Sequence, residues 1–307
     1  MNRNSLSKII LALLVGLCFL EAKTYKIGFA QDTLANDWRK AQAEQLIYYS
    51  KKYDFLEVTV TDAKGSVANQ IASIEKFIKD DYDFIVTSPI SPSITSKVLK
   101  KAIDKGIKVI LLSRGISEDN YTSFIAPDNY KIAQEAAKYL LKKINYKGTI
   151  LMLQGLEGVS STTLREEGFE DIANKYKDIK IVKIRANYLR YDAIKAMDEI
   201  YDKNIHFDAI YSQSDSMAAG ARVVIDKRDD RRDIPIIGID YISEARDAIL
   251  NGKQLASFIY PTCAKKGIET IVSLIEGKKV PKNLIIDTIM VDKDNVKFQK
   301  PIFKSIK

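Results

Sequence analysis

The chain of 307 residues has little of what most enzyme and metal sites are built from: one histidine, one tryptophan and two cysteines. Cys18 lies in an apolar N-terminal segment. A chain exported without that segment keeps Cys263 alone, has no internal disulfide, and must hold its fold by packing. Cys263, close to an expected helix start, reads as a buried bystander rather than a reactive thiol. His206 has no second histidine, and CxxC is missing, which removes the common zinc arrangements. A Ser-His-Asp triad would have to use the same His206, and no G-x-S-x-G elbow is present. GxxxxGK[ST] and GxGxxG are also missing, and with them the usual phosphate cradles. "QGLEGVSS" (154–161) follows a strand and opens a helix, which offers only a weak oxyanion site. Enzyme chemistry is poorly provisioned, and neither a metal nor a cofactor is expected.

Long hydrophobic runs are equally scarce. The one candidate, "IILALLVGLCFL" (9–20), is too short for a comfortable membrane span. Arg3 and Lys8 precede it and "LEA" follows, so residues 1–22 read as a secretory signal peptide cleaved after Ala22. Leu17 stands before Cys18 where a lipobox wants a small residue, which argues against lipidation. The net charge of +8 becomes +7 without residues 1–22. An exported protein meets no chromosome, so this charge reads as a Lys-rich surface able to face anionic headgroups, with no nucleic-acid partner. The charge run "DKRDDRRD" (226–233) reads as a solvated loop.

What the sequence does have is alternation. "YKIGFA" (25–30) predicts a strand and "DWRKAQAEQLIYYSKKY" (37–53) a helix. "LEVTVTDA", "YDFIVTS" and "IKVILLS" continue as strands, separated by helices over 67–80 and 93–106, with Gly106 as a stop. The pattern restarts at "TSFIAPD" (122–128) and the helix 129–144. Strands follow at 148–154, 179–186, 208–212, 235–239 and 254–259. Helices fall near 160–176, 191–203, 215–227, 242–251 and 262–277, and one or two closing strands lie within 283–292. Repeating βα units of about 25 residues imply parallel strands with right-handed crossovers. About ten strands exceed one open sheet of this size, so the expectation is α/β with two Rossmann-like lobes, each a mainly parallel sheet flanked by helices.

A polar or charged residue recurs just after each strand. Asp32 and Asn36 follow the first, Ser88 the third, and Ser113 and Arg114 the fourth. In the second half come Thr163 and Arg165, Tyr188 and Arg190, Ser214 and Asp215, and Asp240. The carboxyl ends of parallel strands form the ligand edge of such sheets. Asn, Asp, Arg and aromatics suit a sugar: charged groups bond vicinal hydroxyls in pairs while aromatic faces cover C–H patches. Trp38 beside Arg39 would then be a stacking face and a hydroxyl donor on one loop. Each residue also has a plainer reading: Arg39 on a helix surface, Trp38 in the core, Asp215 at a helix N-terminus, Asp240 as a cap.

The segments "IGFAQDTLANDWR", "DFIVTSPISPS", "VILLSRG", "SSTTLREEGF", "YSQSDSMAAGA", "IIGIDYISEARDAILNGKQLASFIYP" and "GIETI" resemble, in this order and spacing, the periplasmic binding proteins of the ribose/galactose class (type I) over residues 24–295. The "WR" after the first strand is most similar to the galactofuranose-binding branch. The resemblance implies a three-segment hinge and a sugar trapped by closure in the periplasm. It implies a first lobe of 23–126 plus 261–285 and a second of 127–260 plus 286–307. It carries ligand contact to Asn36, Trp38 and Arg39 in the first loop. Arg114 matches the arginine of a "DR" pair whose Asp is here Ser113. Tyr188 matches an aromatic cover, Asp215 an "ND" pair whose Asn is here Ser214, and Asp240 a "GFDG"-like turn. Thr163 stands where ribose binders place an arginine, with Arg165 two positions later, and Tyr260 lies near a missing hinge Gln. These departures weigh against an ordinary ribose or galactose ligand. Four arginines (39, 114, 165, 190) against three aspartates (32, 215, 240) hint at a very polar, partly anionic one.

The resemblance implies a monomeric solute-binding protein that delivers a sugar-like molecule to an ABC transporter permease. "FIYPT" (258–262) resembles binding proteins that pair with sensor kinases, so a ligand-sensing subunit for a histidine kinase or chemoreceptor stands as the alternative. A secreted sugar-modifying enzyme lacks a catalytic histidine constellation. A lac-repressor-type regulator would need a helix-turn-helix where this chain has a signal peptide.

Overall fold

The computed structural model describes residues 23–230 and 233–302. The expected signal peptide with Cys18, and part of the charge run at 226–233, lie outside these residues.

The first half runs β1 (Tyr25–Gln31), α1 (Asp37–Ser50), β2 (Leu56–Asp62), α2 (Val67–Lys79), β3 (Phe84–Thr87), α3 (Pro92–Asp104), β4 (Lys108–Leu112) and β5 (Ser123–Pro127). The second repeats the pattern with α4 (Asn129–Lys143), β6 (Gly148–Gln154), α5 (Ser160–Ala173), β7 (Ile179–Arg185), α6 (Arg190–Asp202), β8 (Ala209–Ser212), α7 (Asp215–Lys227), β9 (Ile236–Asp240), α8 (Ser243–Leu250) and β10 (Ala256–Ile259). The chain then closes with α9 (Ala264–Ile275), β11 (Asn283–Ile286) and β12 (Ile289–Asp292). The first helix stops at Ser50 rather than Tyr53, where Lys51 caps it through a bond to the Ile47 carbonyl.

The strands form two six-stranded sheets, ordered β11-β5-β4-β3-β1-β2 and β12-β10-β9-β8-β6-β7. Both are parallel except for β12, which runs antiparallel to β10. The central strands bury both faces, which is why β3 reads "FIVT" without alternation. In β4, Ile110 and Leu112 pack with α1 and α9 while Val109 and Leu111 pack with α2 and α3. The second sheet repeats this: Ile150 and Met152 face α4 and α5, Leu151 and Leu153 face α6 and α7.

The closing strands fall one to each sheet. β11 adds to the first sheet, so Ile286 stands one residue past the expected boundary, and α9 packs on the first-lobe core. The chain therefore passes between lobes three times, after β5, after β10 and between β11 and β12. Each sheet also changes winding direction once, between β1 and β3 and between β6 and β8. Crevices open at the carboxyl ends of strands at such points, and here two of them face each other.

Candidate functional site

Between these strand ends lies a cavity of ≈ 360 Å³ lined from both lobes. Ten of the fifteen residues singled out from the sequence line it: Asp32, Asn36, Trp38, Arg39, Ser113 and Arg114 from the first lobe, Arg165, Tyr188 and Asp240 from the second, and Tyr260 at the hinge.

The first-lobe wall is a buried ionic network. Asp32 holds Arg114 Nη1 at 2.7 Å and Arg39 Nε at 3.3 Å, with all three side chains buried. Arg39 Nη1 also donates to Ser113 Oγ (3.0 Å) and Gln42 Oε1 (3.2 Å). Burial, then the charge of Arg114, pushes the Arg39 pKa down to about 10 against the pull of Asp32. Asn36 caps α1, its Oδ1 accepting from the Trp38 and Arg39 amides, while its Nδ2 reaches across the cleft to the Tyr188 carbonyl at 2.7 Å.

Trp38 and Arg39 are thus both buried, at 5% and 7% exposure. The indole Nε1 donates to the Tyr260 carbonyl at 2.9 Å, and its ring lies 5.5 Å from that of Tyr260, packed with the second-lobe core. The Arg39 guanidinium sits 4.8 Å over the indole. One residue anchors the helix to the hinge while the next faces the cavity.

The second-lobe wall is differently made. Arg165 bonds neutral acceptors, Asn129 Oδ1 at 2.8 Å and the Gln213 carbonyl, and lies 4.6 Å over the Tyr260 ring. Asp240 has no ion pair among the described residues. Burial pushes its pKa up to about 8, against the pull of Arg165 and with a further push from Asp215. Tyr188 donates or accepts through its hydroxyl to Ser161 and accepts from Thr162, and its ring lies flat against Gly155, where a Cβ would fall 2.0 Å from the ring. Ser113, Asn187, Tyr188, Asp240 and Tyr241 all have positive φ without being glycine. Such strain collects where side chains must be aimed at a site.

Five expected residues do not line the cavity. Ser88 Oγ is spent on the Leu112 carbonyl at 2.6 Å, beneath the Arg39 network. Thr163 is exposed on α5, because one helical step turns a side chain by about 100° away from Thr162. Arg190 lies at the rim, paired with Glu244 and 3.9 Å from Asp37 of the other lobe. Ser214 caps α7 by accepting from the Met217 amide, and Asp215 is buried inside the lobe. The sequence reading missed Lys64, Ile90, Leu156, Ser161, Asn187 and Asp192, which do line the cavity. Lys64 and Ile90 follow strands and were within reach of the same edge rule; Asn187 belongs to a strained turn, and Asp192, in the first turn of α6, accepts from Asn187 Nδ2 at 2.9 Å.

Cys263 is buried, its thiol pushed up to about 12, first by burial. His206 is exposed beside Asp208, and no cluster of metal ligands occurs among the described residues. No helix among them is long and apolar enough to cross a membrane.

The geometry has relatives. The ribose import binding protein of Bacillus subtilis (strain 168) is 25% identical over 264 residues, covering 85% of each chain. The fructose-binding periplasmic domain of a hybrid two-component system superposes with a TM-score of 0.84 at 28% identity, over 89% of this chain and 92% of that one. A galactofuranose-binding protein gives the same TM-score at 23% identity, over 89% and 96%, a likeness of fold. The description of the periplasmic binding protein domain matches residues 27–279. With two doubly wound lobes closing over one polar cleft, the chain belongs to the periplasmic binding protein family.

Proposed function

We propose that this protein captures a monosaccharide, or a small molecule with a comparable run of hydroxyls, in the interlobe cleft and presents the closed form to an ABC transporter permease. One observation carries the reading: three guanidinium groups, three carboxylates and two tyrosine rings converge on one cavity from both lobes. Arg39, Arg114 and Arg165 would donate to hydroxyl oxygens, Asp32 and Asp240 would accept from hydroxyl protons, and Tyr188 and Tyr260 would cover the C–H faces. Fructose, named for the two-component relative, is the first candidate, and ribose, named for the other, is the comparison that the departures at Ser113, Thr163 and Ser214 weigh against. Export to the periplasm behind a cleaved signal peptide, and a monomeric state, belong to the same proposal.

Closure follows from contacts that only join the lobes when they meet. Besides the Asn36–Tyr188 bond, the Gly115 amide donates to Ser160 Oγ at 3.0 Å. A ligand bridging both walls adds differential affinity for the closed state, the only way binding shifts such an equilibrium. The alternative partner is a sensor kinase, which the hybrid two-component relative favours.

The test is a thermal-shift panel of pentoses, hexoses and sugar acids. A ligand at about 100 times its dissociation constant adds about 2.7 kcal/mol. A hit that disappears in Asp240→Ala supports the reading, whereas a hit that survives both Asp240→Ala and Arg165→Ala moves the site elsewhere.

A further inference from the structure

Behind the second-lobe wall lies a buried polar cluster that does not touch the cavity. Asp215, the first residue of α7, is fully buried, and its carboxylate accepts from the Tyr241 amide at 2.6 Å, from Gln254 Nε2 at 2.8 Å and from Ser257 Oγ. The Tyr241 amide is shared with Ser257 Oγ at 3.1 Å. Gln254 also donates to the Ala256 carbonyl at 3.0 Å and accepts from Arg222. Gly238 makes the space, since a Cβ there would lie 2.0 Å from Asp215 Oδ1.

What this cluster grips is the turn after β9. Asp240 (φ 117°) and Tyr241 (φ 57°) are consecutive non-glycine residues at positive φ. Such a residue is strained and persists only where its surroundings over-determine it. The over-determination is visible: three donors converge on one carboxylate, and that carboxylate takes the amide of the turn itself. Asp240, one residue earlier, faces the ligand cavity.

We propose that Asp215 is a positioning residue for ligand binding, holding the strained Asp240–Tyr241 turn so that the Asp240 carboxylate points into the cleft. The proposal rests on Asp240 being a ligand contact. It also replaces the direct contact expected for Asp215 from the sequence by an indirect one.

The charge of Asp215 leaves a signature that a purely structural residue would not. Asp240 is faced by Arg165 from α5 and Arg39 from α1, both favouring its ionised form, and by Asp215 from α7, which opposes it. Neutralising Asp215 therefore eases ionisation of Asp240, and any affinity that needs the ionised carboxylate survives to lower pH.

The experiment compares wild-type protein with Asp215→Asn, using Asp240→Asn to assign the Asp240 carboxyl carbon in NMR titrations without ligand. The titration midpoint of Asp240 is expected to move to lower pH in Asp215→Asn. The Tyr241 amide should exchange about tenfold faster or more, the scale of one lost charge-assisted hydrogen bond. Calorimetry with D-fructose and D-ribose should show about tenfold weaker binding, with its pH profile displaced in the same direction. An unmoved Asp240 midpoint together with a protected Tyr241 amide overturns the proposal, even if the melting temperature falls. Should Asp215→Asn not fold, Gln254→Ala keeps the charge and removes one donor that holds Asp215 without touching the Tyr241 amide. Faster Tyr241 exchange then supports the proposal, and unchanged exchange overturns it. If neither sugar binds, the ligand-free titration and exchange still decide the role of Asp215, while only the choice of ligand fails.

Discussion

The two walls of the cleft carry the same residue types in opposite states. On the first-lobe wall one carboxylate is shared by two guanidinium groups: Asp32 lies between Arg39 and Arg114, and Arg39 also bonds Ser113 and Gln42. On the second-lobe wall Arg165 is spent on an amide oxygen and a backbone carbonyl, and Asp240 is buried with no ion pair among the described residues. Breaking a matched buried pair strands a charge; removing an unmatched one relieves it. The first wall is thus part of what holds the protein together, and on the proposed reading the second holds a carboxyl group left to meet a ligand.

Substitutions can break or sharpen this contrast. Above about pH 8, where Asp240 is ionised, Asp240→Asn is expected to weaken sugar binding by about 100-fold or more, from loss of charge-assisted hydrogen bonds, as read by calorimetry. Its effect on stability has the opposite sign. The folded Asp240 pKa is raised from 3.8 to about 8, so the folded state holds a proton that the unfolded chain has released. Wild-type stability from this group is complete below about pH 4 and is lost as pH rises through about 8. At pH 8 the variant should therefore be more stable than wild type, by a margin that shrinks as pH falls towards 4. A pH-independent difference in denaturant midpoints would break the account.

Asp32→Asn tests the other wall. It leaves Arg39 and Arg114 buried without a carboxylate, so stability should fall by about 3 kcal/mol at neutral pH in urea unfolding. Asp32→Asn as mild as Asp240→Asn would erase the distinction between the walls.

Asn36→Ala removes both the α1 cap and the bond to Tyr188. A loss of about 1 kcal/mol in thermal unfolding is expected, with a weaker sugar affinity because the closed state loses a direct lobe-to-lobe contact. The smallest effects belong to Arg190→Ala and Thr163→Ala. Neither lines the cavity, and each should change stability by under about 0.5 kcal/mol and leave affinity within about twofold. A large loss at Arg190 would mean that the rim pair with Asp37 governs closure.

Much of this was legible in the sequence, and the exceptions have a physical pattern. Alternating buried strands and amphipathic helices require two parallel sheets, and parallel sheets put their ligand edge at the strand ends. That rule reaches Asp32, Ser113, Arg114 and Asp240. It fails at Ser88, Ser214 and Asp215 because a polar residue at a strand end can turn inward to satisfy backbone and side-chain partners instead. It fails at Thr163 because facing direction on a helix changes with each residue, and spacing from a motif does not fix the rotation.

Sequence by itself determined the two doubly wound lobes, since hydrophobic periodicity is a local property that only one layering can bury. Tertiary structure alone decided which polar residues share the cleft and in what charge state. Trp38 and Arg39 show why: both are buried, one against the hinge carbonyl of Tyr260 and the other against Asp32 and Ser113. Tyr260 lies 222 residues from Trp38 and Ser113 lies 74 from Arg39, and neither burial nor pairing across such distances is encoded in any short stretch.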